Sequence, residues 1–435
     1  MHPPQAASIR RSTFDVQRST FQHFFFPTLL TTLTLTFTLP FPSAHAASAT
    51  DWLQFRGPNA SSVTHSPASS QLPITLSPAD IAWKTDLPGR GLSSPVIIGT
   101  RLYLTAASGP EQETLHILCY DTATGKKQWE RRFQATGRTM CHEKTCVAAP
   151  TPASDGTRLY ALFSSNDCFA LDLDGNLLWL RSFTLDYPNA SNSLGLASSP
   201  IIADGVLITQ IENDGDSFTA ALDPATGINL WKLSRPKTAN WTSPTTWTDP
   251  SAQRSLLLLT SNEGVSALDP KTGKEQWTLP KPGPVIASSG IGEKHLAVPC
   301  PGKGLAVWNL SGGTTPPTLA WESPQISSGT ASPLLAGPHV FSINSAGVLT
   351  CADLASGGRP WKLRLEGPFS ASPILAHKTL YAVSERGLLQ AVDTTTPEGT
   401  ITGKLDLAAT ILSTPSLSGN SLYLRSDATL WRIGK

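Results

Sequence analysis

The stretch LDPATGINLW at 222–231 returns at 268–277 as LDPKTGKEQW, and the fold follows from what is repeated. Each copy is an Asp, a short turn ending in Gly, and a Trp four residues after that Gly. Further copies are DTATGKKQW (121–129), DLDGNLLW (172–179) and DLASGGRPW (353–361). A weaker one, NLSGGTTPPTLAW (309–321), carries Asn309 in place of the Asp. Trp83, in IAWKTDL, fits the same column. The column then reads Trp83, Trp129, Trp179, Trp231, Trp277, Trp321 and Trp361. Its steps average about 46 residues, the period of a strand-built repeat.

A second pattern opens each unit. SSPVIIGTRLYL (93–104) is matched by AAPTPASDGTRLYAL (148–162), SSPIIADGVLIT (198–209) and ASPLLAGPHVFS (331–342). ASPILAHKTLYAV (371–383) and STPSLSGNSLYL (413–424) continue the set. TSPTTW (242–247) and the degenerate ASSGIGEKHLAV (287–298) mark two more starts, making eight. Between start and Trp the chain alternates apolar with polar and favours Val, Ile, Leu and Tyr, as half-buried antiparallel strands do. The expected fold is all-β: an eight-bladed β-propeller of four-stranded antiparallel blades. The last unit stops after three strands, so the segment 81–87 is expected to supply the fourth and close the ring. Seven blades is the alternative, because the 287–323 unit is poorly formed.

The motif has a physical reading. Asp caps turn amides, Gly takes positive φ, and Trp packs between neighbouring sheets as the structural docking residue of its blade. A buried Trp contributes on the order of 4–6 kcal/mol gross, an upper bound. Two positions before the turn Asp stands a small residue: Cys119, Ala170, Ala221, Ala267, Cys351 and Ala391. Close sheet-to-sheet contact requires one there, so these cysteines are read as small hydrophobes.

Composition narrows the function. Of 435 residues only 15% are charged, and the net charge is +1 with no run of Lys or Arg. Nucleic acid and anionic membrane surfaces call for a basic stripe, so neither is an expected partner. Residues 1–46 differ from the rest. Arg10, Arg11 and Arg18 precede an apolar stretch at 24–41, and Ala44 and Ala46 form an A-x-A site. This reads as a signal peptide, leaving an N-terminal arm at 47–80 and the propeller at 81–435. The mature chain is therefore expected outside the cytoplasm, periplasmic or secreted, with no transmembrane segment after cleavage. Arg10-Arg11 keeps twin-arginine export open beside the general route.

Extra chain gathers on one face. The interblade links 134–147, 184–196 and 235–241 and the hairpin tips 107–114 and 211–217 are long, and all belong to blades one to three. Long loops on a rigid scaffold carry binding. Candidates there are His142, Glu143 and Lys144 in CHEKTC (141–146), Asn192 in the second link, Asn213 and Asp214 in IENDGDSF (211–218), and Asn240 and Trp241 in ANWTSP (239–244). A Cys141–Cys146 disulfide suits an exported chain. The spacing in CHEKTC matches no standard zinc motif, and IENDGDSF lacks the ligand count of a calcium loop, so no metal site is expected. Trp241 offers a stacking platform for a flat ligand or sugar. No G-x-S-x-G, H-E-x-x-H or C-x-x-C-H motif occurs, and no catalytic residue is assigned.

The D-x-x-T-G-x-x-x-W copies and the S-P strand starts resemble the PQQ-binding-like β-propeller repeat family, which includes BamB-like components of outer-membrane assembly. DWLQFRGPN (51–59) resembles the W-x-Q-F-R-G-P opening of exported bacterial members. The likeness spans about 51–435. The BamB-like branch implies a non-catalytic scaffold that binds partner proteins, usually as a lipoprotein; no lipidation Cys follows the apolar stretch here. The quinoprotein dehydrogenase branch implies pyrroloquinoline quinone over calcium, with a vicinal Cys pair that this sequence lacks. Three functions are carried forward. The first is an exported, non-enzymatic propeller that binds a protein partner or small ligand through the long-loop top face and needs no cofactor. The others are a PQQ-dependent dehydrogenase and a carbohydrate-binding or carbohydrate-acting propeller.

Overall fold

The computed structural model describes residues 48, 50–64, 66–190, 194–250, 254–280, 283 and 286–434; the expected signal peptide and Asn192 lie outside them. Eight four-stranded antiparallel sheets succeed one another along the chain. Blade 1, from the axis outward, is Val96–Ile98, Arg101–Ser108, Thr114–Asp121 and Lys127–Gln134. The doubtful unit is a full blade 5: Gly290–Ile291, His295–Cys300, Gly304–Asn309 and Thr318–Ser323. The ring thus has eight blades, not seven. It closes as the sequence predicts, with Ile81–Asp86 pairing antiparallel to Thr429–Gly434 as the outermost strand of blade 8. No helix among the described residues is long and apolar enough to cross a membrane.

The repeated Trp fastens one blade to the next at every seam but that between blades 7 and 8, where Gly403 stands in its place. Trp129 Nε1 donates to Leu173 O at 3.1 Å, Trp179 to Pro224 O at 3.0 Å, and Trp231 to Pro270 O at 2.8 Å. Trp321 reaches Leu354 O at 2.9 Å. Trp83 of the closing strand reaches Thr122 O at 3.0 Å, which locks blade 8 onto blade 1. Each acceptor lies in the Asp-Gly turn of the neighbouring blade, with the ring against the turn glycine. A Cβ on Gly175 would stand 2.8 Å from the Trp129 ring, and its φ is +84°. Glycine is needed there twice over, for the turn and for the contact. The Asp holds the turn: Asp121 Oδ1 accepts from Thr124 N at 2.8 Å and from its hydroxyl at 2.7 Å. The hydroxyl bond heads the causes that lower the Asp121 pKa. The small residues two positions earlier are all buried, and burial pushes the Cys119 and Cys351 thiols up to about 12.

The arm does not lie outside the ring but threads the channel. Trp52 exchanges backbone hydrogen bonds with Ile97 of blade 1, and Leu53 O accepts from Ser154 N of blade 2 at 2.8 Å. Arg56 is fully buried and donates to Ser289 O of blade 5 at 2.9 Å and Pro333 O of blade 6 at 2.7 Å. Val63–Thr64 then adds a parallel strand to the inner edge of blade 7, beside Ile374–Ala376. A segment that reaches the inner strands of blades 1, 2, 5, 6 and 7 occupies the axis. Burial without a counter-charge lowers the Arg56 pKa to about 10. The sharp turn at Arg56-Gly57 has positive φ at both residues, and Trp52 lies so close that a Cβ on Gly57 would clash at 2.6 Å.

Candidate functional site

The channel's upper mouth lies on the face where the interblade links emerge. It holds a cavity of about 380 Å³ with walls from every blade. Phe55 of the arm lines it, so the plug forms its floor. The apolar wall is Leu92, Leu194, Trp241, Ile286 and Leu412. Trp241 is held by a bond from its Nε1 to Gly195 O at 2.8 Å.

The neck is a belt of hydroxyls, and it explains the recurring S-P and T-P starts. The backbone N–H of Ser94 donates to Thr151 Oγ1 at 2.9 Å, and that of Thr151 to Ser199 Oγ at 3.0 Å. The same step runs from Ser199 to Ser243 and from Ser243 to Ser288. It continues through Ser332 and Ser372 to Thr414. Seven hydroxyls thus stitch eight inner strands. At the seam between blades 8 and 1 the stitch is replaced: Ser416 Oγ donates to Pro95 O at 2.6 Å, and buried Arg425 donates to Thr105 O at 2.6 Å.

The rim is charged. Lys144 pairs with Glu385 of blade 7 at 3.2 Å. Arg90 donates to Glu143 O and pairs with Asp427 at 3.3 Å, beside the cavity. The first link therefore reaches from blade 1 over the mouth to blade 7.

The structure brings His142, Lys144 and Trp241 together at this mouth, with Glu143 in an adjoining notch. Other expectations are corrected. Asn240 does not face the mouth: it is buried, donating to Glu212 Oε2 at 2.9 Å and Thr260 O at 2.8 Å. Asn213 is also buried and closes its own hairpin, accepting from Gly215 N at 2.7 Å. Asp214 is exposed and accepts from Ala239 N at 3.3 Å, apart from the cavity. The Cys141–Cys146 disulfide is not formed, and both thiols are free. A turn from Thr145 N to His142 O separates them; Cys146 packs into the core between blades 1 and 2, while Cys141 sits against Gly195. The third link is not long either: 235–244 equals 280–289 and 324–333 in length.

Sequence reasoning missed Phe55 and the hydroxyl belt, although both lay in quoted motifs. It also missed a relay across blade 1. Ser108 Oγ stands 2.7 Å from His116 Nε2, and His116 Nδ1 stands 2.9 Å from Glu130 Oε1. The connectivity is that of a nucleophile, base and orienting acid. His116, however, is 3% exposed at the seam between blades 8 and 1, closed to a substrate. Burial alone would raise the Glu130 carboxyl; Arg132, Lys127 and His116 outweigh it and hold it at about 2. The relay is a cross-strand stitch.

The quinoprotein branch poses a test of fit. Calcium takes six to eight oxygens, carboxylates among them. The mouth lining contains no Asp, Glu, Asn or Gln. Among the described residues no three His, Cys, Asp or Glu side chains gather as a metal site. The donor set does not fit a calcium-bound quinone. A larger cavity, about 1060 Å³, opens on the opposite face between the arm and blades 4 to 6, and no rim of long links surrounds it.

Fold, seam and plugged channel define a repeat propeller of the PQQ-like class. A family model described as "Outer membrane protein assembly factor BamB" matches residues 74–209, 189–295 and 301–401, and the chain belongs to this PQQ-like, BamB-like family. No curated protein matches the chain. Among solved structures, BamB from Moraxella catarrhalis is 15% identical, with a TM-score of 0.61 over 82% of this chain and 97% of that one. The quinohemoprotein alcohol dehydrogenase from Comamonas testosteroni is 13% identical, with a TM-score of 0.68 over 90% and 81%. A europium-containing methanol dehydrogenase is 12% identical, with a TM-score of 0.65 over 89% and 98%. At such identities the likeness is one of fold.

Proposed function

We propose that this chain is a non-catalytic, exported binding propeller that takes a protein partner at the upper mouth. The carrying observation is that the chain's own arm closes the channel. The mouth is then a blind apolar pocket, rimmed by the long first link and the Trp241 and Leu194 edges. Pockets of this size and lining are binding sites by default. The family description, an outer-membrane assembly factor, supports a partner-binding role outside the cytoplasm, as does the signal-like start at 1–46. The dehydrogenase reading rests on the PQQ-like repeat and on fold neighbours, and the cavity offers no calcium ligands.

The test is site-specific photocrosslinking in cells of the native host. A photoreactive residue at Leu194 should give a discrete adduct. The same residue at Ile228, exposed on the outer edge of blade 3, should give none. Equal labelling from both positions contradicts the reading.

A further inference from the structure

The belt that stitches the inner strands leaves something over. Each hydroxyl offers one donor and two acceptor sites. Thr151, Ser199, Ser243, Ser288, Ser332, Ser372 and Thr414 each spend one acceptor site on a neighbour's N–H. Among the described residues none of the seven hydroxyl hydrogens has an acceptor, and all seven residues line the mouth cavity. The neck is therefore a ring of unused O–H donors.

Its surroundings select what such donors would meet. The lining holds no acidic or carboxamide side chain, and the rim carboxylate of Glu385 is taken up by the Ser370 hydroxyl and Lys144 rather than by the ring. The one cationic side chain that lines it is Lys144, whose backbone N–H donates to His142 Nδ1. Lys144 is mostly exposed and held by a single surface ion pair to Glu385, a bond worth little and easily exchanged. Above and below the ring the wall is apolar, from Phe55 through Leu92 and Leu412 to Trp241. A group with acceptors only, a negative charge and an apolar body fits all three features.

We infer that the mouth binds a carboxylate carried on an apolar chain, with the carboxylate oxygens on the hydroxyl ring and the apolar part against Trp241 and the leucines. Charge-assisted hydrogen bonds of this kind are about twice as strong as neutral ones. A sugar would meet the donor and the one acceptor site left on each hydroxyl, but without the gain of a charge-assisted bond. A cation would find none with charge. The inference rests on the mouth being a binding site, but not on the identity of any protein partner. Two sources carry this chemistry: a free fatty carboxylate and the C-terminal end of a polypeptide with an apolar last residue.

The test is a titration of the full chain followed by tryptophan fluorescence, with octanoate, octanol and octylamine as probes of equal length. Octanoate should saturate at one equivalent. Octanol should bind at least about tenfold more weakly, and octylamine should not saturate. S243A should weaken octanoate about three- to tenfold, while S243T, which restores the hydroxyl, should not. K144M should weaken octanoate and leave octanol unchanged. Melting curves of each variant separate lost binding from lost folding. A second arm compares a hexapeptide ending in Leu-Phe as the free acid and as the amide. Preference for the acid with octanoate inactive supports the chain-end source. Octanoate with the acid peptide inactive supports the free carboxylate. Equal binding of octanoate and octanol, or no binding by any carboxylate to folded protein, overturns the inference. Failure of the crosslinking at Leu194 with octanoate still bound would instead remove only the protein partner.

Discussion

The outer seam and the axis are built from the same repeat, yet they behave differently. On the outside, six of the seven column Trp rings lie against the next blade's turn glycine, Trp277 being the exception, and Trp83 carries the pattern across the closure. On the inside, the hydroxyl belt repeats seven times and then stops at the seam between blades 8 and 1. The arm breaks the symmetry further by touching some inner strands and not others. A seam repeated with little variation holds the ring, and an axis broken by the closure and the arm leaves a pocket. Stability should therefore live outside and binding inside.

The largest expected effect is on the seam. Trp361→Ala, buried against the Gly399 turn, should cost about 3–5 kcal/mol in urea unfolding, as truncation of a buried aromatic does. Trp241→Ala, at the half-exposed mouth, should leave the unfolding midpoint close to the parent's. Similar losses from both would erase the distinction. The plug comes next. Arg56→Gln orphans the buried carbonyls of Ser289 and Pro333, at about 1–3 kcal/mol. A neutral result would show that the arm is a passenger in the channel.

The contrast between seam and axis also marks how far the sequence could be read. The seam is local: Asp, Gly and Trp stand at fixed spacings within one hairpin, so the motif names both its turn and its packing. Blade number and the closing strand followed from counting those hairpins. The axis is not local. Ser199 meets Ser243 across 44 residues, and that adjacency exists only once the ring has closed. The S-P starts could be read as strand signals but not as a belt. DWLQFRGPN was visible as a motif, while its passage through the channel depends on inner strands of five blades. Asn240 and Asn213 looked like loop polars because burial is set by neighbours from other strands. Their hydrogen bonds to Glu212, Thr260 and Gly215 are structural.

Smaller effects sharpen the same picture. Ser332→Ala should cost about 1 kcal/mol, the net worth of one buried hydrogen bond, and Ser332→Thr should cost less. The relay in blade 1 predicts a pH dependence. Glu130 is held down at about 2, so its contribution is complete above the ordinary glutamate range and is lost as pH falls toward 2. Glu130→Gln should flatten the acid limb of a melting-temperature profile; an unchanged limb would assign it elsewhere. The smallest effect is none at all. Pyrroloquinoline quinone with calcium should give no calcium-dependent, saturable quenching of tryptophan fluorescence, because the mouth supplies no carboxylate. One-to-one, calcium-dependent saturation would restore the dehydrogenase reading.

The central claim is that the pocket at the axis binds while the seam only supports. The most direct measurement is the yield of the Leu194 photocrosslink in the parent and in Trp241→Ala, with melting temperatures taken on the same preparations. The account predicts that the adduct falls severalfold while the melting temperature holds. An adduct that survives the loss of Trp241 would contradict it.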